Sequence, residues 1–117
     1  MQLKLSTRTV QDILVVNCDG RIVFGEESAE LRDTVKKLLT QNNQMVLNLG
    51  GVTYIDSSGV GMLVAKLKTL KERGGDIRLL NLNRRAESLF GMLKILVLFE
   101  TFEDEAAAVR SFTRPRH

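Results

Sequence analysis

Leu3 and Leu5 stand between polar neighbours, and Ile13 to Val16 form an apolar, mostly β-branched run that ends at Asp19-Gly20. Alternation of period two, followed by a short apolar run closed by a turn signal, predicts a pair of strands. From Glu26 onward the period changes: Leu31, Val35, Leu38 and Leu39 fall at i, i+4, i+7 and i+8, the stripe of a first amphipathic helix. Met45 to Leu49, bounded by Asn42-Asn43 and Gly50-Gly51, reads as a short strand covered on both faces, in the middle of a sheet. After Asp56-Ser57-Ser58 the helical spacing returns at Val60, Leu63, Val64 and Leu67, and Gly74-Gly75 supplies its stop.

Ile77 to Leu80 predicts another strand, and Ala86, Leu89, Phe90 and Leu93 a third helix that begins near Asn83. Ile95 to Phe99 reads as a last short strand. Thr101 with Asp104 three residues on resembles a capping box, opening a final helix that carries Ala106, Val109 and Phe112. Strands alternating with helices imply parallel pairing through crossovers, with antiparallel pairing confined to the opening hairpin. The expected class is α/β, with a mixed central sheet of about four to five strands and about four helices.

Composition narrows the picture. The chain has 117 residues, 44% hydrophobic and 26% charged, which suits one folded domain. Nothing in it resembles a linker or a repeat; we place the domain at residues 1–112 and a flexible tail at 113–117, which holds the only proline, Pro115. The net charge of +3 does not imply nucleic acid, because no basic face interleaved with aromatics is visible. Arg110, Arg114 and Arg116 read as a solvated terminus. One Cys, Cys18, and one His, His117, cannot form an intramolecular disulfide or a four-ligand zinc site, and no cofactor is expected. With no signal peptide and no run long enough to span a bilayer, a cytoplasmic location is the expectation.

Catalytic readings find little support. A serine nucleophile needs a base held within hydrogen-bond reach, and the sole histidine is the last residue. Lys66 and Lys68 lie more than two turns into their helix, where lysines ordinarily face water. Gly59-Val60-Gly61 is too short for a dinucleotide fingerprint, and Val64 stands where its third glycine or alanine belongs. Glu26, Glu27 and Glu30 sit at a helix start and complement its dipole. We therefore expect no catalytic residues and no enzyme.

The informative segment is Tyr54-Ile55-Asp56-Ser57-Ser58-Gly59, between a buried strand and the start of an amphipathic helix. Asp, Ser and Gly are what a turn and helix cap prefer, so ordinary capping explains these residue types as well as any chemistry does. A loop at the carboxyl end of a parallel strand is also where α/β folds place their sites, and a helix N-terminus accommodates a phosphoryl group.

The run from Val46 to Val64, with Asp56-Ser57-Ser58-Gly59 at its centre, closely resembles the signature of STAS domains, in particular the stand-alone bacterial anti-sigma factor antagonists. Asp19-Gly20, Gly74-Gly75 and the stretch from Phe99 to Ala108 extend the resemblance more weakly over most of the chain. It implies that Ser57 is phosphorylated by a partner that is both anti-sigma factor and serine-protein kinase, that the unphosphorylated form binds this partner and frees a sigma factor, and that a PP2C-type phosphatase restores it. Asp56 would then position Ser57, Ser58 would be its neighbour and not the acceptor, Gly59 would allow close backbone approach, and Val60 with Met62 would pack or touch the partner. The segment Arg21-Ile22-Val23-Phe24-Gly25 departs from the family, many of whose members carry an acidic residue there; it should lie near Ser57, with Arg21 and Phe24 as candidate contacts. STAS domains also serve in anion transporters, and as scaffold subunits of lipid-transport or stress-sensing complexes, which is the alternative reading.

Overall fold

Gln11 and Asp12 both adopt positive φ, 51° and 67°. That is the backbone of a two-residue hairpin turn whose twist matches the strands it joins. It connects β1 (Lys4–Val10) to β2 (Ile13–Ile22) in antiparallel register, Val10 opposite Ile13 and Lys4 opposite Asp19. The computed structural model describes residues 4–22, 44–94 and 96–113, together with Asp33, Lys36 and Lys37, which are helical. Most of the expected first helix, including Leu31, Val35, Leu38 and Leu39, lies outside the described residues, as do Phe24 and residues 114–117 of the tail.

After β2 come β3 (Gln44–Ile55), α1 (Ser57–Glu72), β4 (Asp76–Leu80), α2 (Arg84–Met92), a 3-10 turn (Leu96–Leu98), β5 (Glu100–Phe102) and α3 (Glu105–Thr113). The sheet order is β1-β2-β3-β4-β5, and every pair beyond the hairpin is parallel. The α/β class, the mixed sheet and the central position of β3 match the expectation.

Alternation along the strands divides the core in two. On one face Leu14, Val16, Met45, Leu47, Ile77 and Leu79 pack against α1 and α2. On the other, Ile13, Val15, Val46 and Leu80 meet Ala108 and Val109 of α3. In α1, Val60, Leu63, Leu67 and Leu70 are all buried at helical spacing, each contributing about 1.5–3 kcal/mol of transfer free energy. Gly74 ends the helix in the left-handed region, φ 80°, as the glycine pair predicts.

Three elements differ from the sequence reading. The central strand does not stop at Gly50-Gly51 but runs through both to Ile55. Asn48 Oδ1 accepts from the Gly50 N–H at 2.9 Å, and Asn48 Nδ2 donates to Asn17 Oδ1 at 2.8 Å on β2. A Cβ on Gly51 would lie 1.8 Å from Asp19 Oδ1, so the glycine lets the neighbouring strand close in. The last strand is Glu100–Phe102, while Leu96–Leu98 form a 3-10 turn after Lys94 takes φ 57°. Pairing of Arg78 with Glu100 and Leu80 with Phe102 selects the later segment. Finally, Thr101 lies in β5, and Asp104 itself caps α3, its Oδ2 accepting from Ala107 N at 3.0 Å.

Mid-strand Arg78 is buried although charged. Its Nε donates to Ser111 Oγ at 2.8 Å and lies 2.9 Å from Glu100 Oε2, its Nη1 pairs with Asp76, and its guanidinium stacks 4.2 Å over the Phe112 ring. This network ties α3 to the edge of the sheet.

Candidate functional site

The site is built where β3 hands the chain to α1. Asp56 leaves the strand in extended conformation, φ −109° and ψ 177°, and caps the helix: its Oδ1 accepts from the Gly59 N–H at 2.8 Å, and its carbonyl accepts from the Val60 N–H at 3.0 Å. The cap satisfies the third N–H of the helix and leaves those of Ser57 and Ser58, the first two helical residues, ahead of the intrahelical ladder. Both serines are exposed and Asp56 is half-buried. The Asp56 carboxylate at the cap faces the positive end of the helix dipole, and the first turn beyond it holds no further acidic side chain.

Gly59 seats this turn on β2. A Cβ at Gly59 would fall 2.7 Å from the Ile22 carbonyl oxygen and 3.0 Å from Ile22 Cγ2, so only glycine permits the approach. Close backbone contact at Gly59 is therefore made within the domain. The same contact brings the end of β2 to the site: Ile22 pairs with Ile55 and Arg21 with Tyr54. The exposed Arg21 guanidinium lies 4.9 Å from the centroid of the Tyr54 ring, itself 38% exposed, in cation–π geometry. Behind them Thr53 Oγ1 donates to the Gly20 carbonyl at 3.2 Å, and Asn83, the cap of α2, donates from Nδ2 to the Val52 carbonyl at 2.9 Å.

Asp56, Ser57, Ser58, Gly59 and Arg21 are thus gathered at the carboxyl ends of β2 and β3, as the sequence suggested, while Phe24 lies outside the described residues. Of the two roles open to Val60, partner contact requires a correction and packing holds: it is 1% exposed and belongs to the core beneath α1, so its side chain offers no surface to a partner. Tyr54 joins this group, a residue to which the sequence analysis attaches no function. Its pairing with Arg21 depends on strand register, which no local pattern reveals. Lys66 and Lys68 lie about 13–17 Å along the helix axis from Ser57, too far for either to act as its base.

Residues 4–108 match the STAS domain family. The chain is a STAS domain of the anti-sigma factor antagonist family. This STAS domain is 31% identical over 91 residues to the anti-sigma-B factor antagonist of Bacillus subtilis, a match spanning 77% of this chain and 82% of that protein. Among solved structures, a putative anti-sigma factor antagonist from Thermotoga maritima superposes with a TM-score of 0.87 at 20% identity, over 94% of this chain and 95% of that one. The anti-sigma factor antagonist SpoIIAA in its unphosphorylated form gives 0.77 at 18% identity, over 97% of this STAS domain and 99% of its own chain. Its phosphorylated form gives 0.70 at 18% identity, over 93% and 98% respectively. These likenesses establish the fold. No helix among the described residues is long and apolar enough to cross a membrane.

Proposed function

We propose that this STAS domain is a phosphorylation-switched binding module, not an enzyme, acting in the cytoplasm. Unphosphorylated, it binds an anti-sigma factor that is also a serine-protein kinase, and so releases a sigma factor. Phosphorylation of Ser57 ends that binding, and a PP2C-type phosphatase reverses it. The observation that carries the reading is an exposed serine at the first position of a capped helix, within the motif its family shares. Exposure does not separate Ser57 from Ser58; the match to the family motif selects Ser57.

The physics of the switch follows from the geometry. A phosphoserine brings about −1.5 to −2 charges. Within the domain these meet the positive end of α1 and the N–H groups of Ser57 and Ser58, while the neighbouring Asp56 carboxylate is engaged by the Gly59 N–H, so the fold tolerates the group. A partner packed over the same turn has to desolvate it, and binding is lost. SpoIIAA, solved in both forms, supports the idea that a STAS fold carries the modification.

The test is capture of the native partner by Ser57→Ala and Ser57→Asp variants, with phosphosite mapping by mass spectrometry. Retention by the alanine variant, loss by the aspartate variant and phosphate at Ser57 are expected. Equal capture by both, with no phosphate at Ser57, refutes the switch.

A further inference from the structure

The second half of α1 forms one wall of a groove of about 390 Å³, lined by Val64, Leu67, Lys68, Lys71, Glu72 and, from the 3-10 turn opposite, Leu98. The groove is apolar along its floor. In the chain leading to Leu98, which is itself 44% exposed, Met92 is 79%, Leu93 41% and Val97 90% exposed. Four large apolar side chains displayed within seven residues form an unusual surface, because the other large apolar residues among those described, Tyr54 excepted, are largely covered. Lys68 and Lys71 line the groove beside Glu72, and Lys94 follows Met92 and Leu93 in the chain; all three lysines are exposed, and none forms an ion pair among the described residues.

We propose that this groove docks an acidic amphipathic helix of a partner protein, at a surface separate from the Ser57 turn. The long wall, Val64 to Glu72, is helical, so its backbone groups are bonded internally and offer no edge for strand addition. An occupant lying on an apolar floor must therefore satisfy its own backbone, which a helix does. The wall from Val64 to Glu72 is about 12 Å long, two turns, and receives apolar residues at i, i+3 or i+4 and i+7. The lysines at the rim select acidic residues on the flanks of the incoming helix, and they disfavour a second copy of this lysine-edged face. The groove opens about 10 Å along α1 from Ser57, so the two surfaces can be occupied independently. The inference does not rest on the phosphorylation switch.

The test uses a synthetic helical peptide of about 14 residues, with leucines on one face and glutamates on its flanks, titrated into isotope-labelled protein and followed by NMR. Saturable shifts confined to Val64–Glu72 and Met92–Leu98 are expected, with the amides of Ser57 and Ser58 unmoved. Lys68→Glu with Lys71→Glu, and separately Val97→Asp, should each weaken binding about tenfold without changing the melting temperature. The Val97 variant removes a nearly fully exposed side chain, so loss of fold does not confound it. Equal binding of a peptide with lysines in place of the glutamates overturns the proposal, as does the absence of groove shifts at millimolar peptide. Binding of the same residues to phosphatidylglycerol vesicles in place of the peptide, or self-association through this face, would also overturn it.

Discussion

Two glycines in α1, two residues apart, should respond to the same substitution with opposite signs. At Gly61 a new Cβ meets nothing within 4 Å, and the position is exposed helix interior. Gly61→Ala therefore removes the entropic cost of glycine without a steric penalty, stabilising by about 0.5–1 kcal/mol. At Gly59 the new Cβ would stand 2.7 Å from the Ile22 carbonyl oxygen, where ordinary van der Waals contact begins at 3.4 Å. The obstacle is backbone in a buried strand, not a pliable side chain, so the first turn of α1 has to lift from β2. Overpacking of this kind costs about 1–3 kcal/mol, and the propensity gain of alanine offsets only part of it. We expect Gly59→Ala to be destabilised by about 1–2 kcal/mol, which for a domain of this size lowers the melting temperature by about 3–6 °C per kcal/mol. Urea denaturation of both variants beside the parent measures the difference. If Gly59→Ala proves as stable as Gly61→Ala, the close seating of the Ser57 turn on β2 is wrong.

Further outcomes can be checked on the same preparation. Asp56→Ala should lose about 1 kcal/mol by removing the cap on Gly59, while Asp56→Asn, which retains an acceptor oxygen, keeps most of it in chemical denaturation. Arg78→Ala should cost about 2–4 kcal/mol, because it strands the Asp76 carboxylate and removes packing against Phe112, and hydrogen exchange in α3 should accelerate with it. Burial, reinforced by the Asp19 charge, pushes the Cys18 thiol up from 9.0 to about 12. Above pH 9.0 the unfolded chain therefore loses this proton while the native state keeps it, so the contribution is fully present below pH 9.0 and is lost as pH rises towards about 12. A stability–pH profile of Cys18→Ala beside the parent should isolate that loss. Tyr54 is the only tyrosine and the chain has no tryptophan, so the intrinsic fluorescence of the protein reports on the Arg21–Tyr54 pair. Arg21→Ala should change that emission with little change in stability, and an unchanged spectrum would contradict the cation–π contact.

Local sequence carried the features that depend on neighbours along the chain. The caps at Asp56 and Asn83, the stripe Val60, Leu63 and Leu67, the glycine stop at Gly74 and the alternation of strands and helices are all set within a few residues, by hydrogen-bond geometry and helical period. The turn around Ser57 was legible for the same reason, and its resemblance to a family motif gave it a meaning that capping alone does not supply. Tertiary structure decided whatever depends on register between distant strands. Gly50-Gly51 read as a terminator, yet pairing of Asn48 with Asn17 and of Gly51 with Asp19 on β2 carries the strand through it. Ile95 to Phe99 reads as a strand, but Leu96–Leu98 within it form a 3-10 turn and β4 pairs with Glu100–Phe102. Packing and partner contact were both open for Val60, and its burial beneath α1 decides for packing. The juxtaposition of Arg21 with Tyr54 joins residues far apart in the chain; it exists only because parallel pairing of β2 with β3 ends the two strands at the same edge.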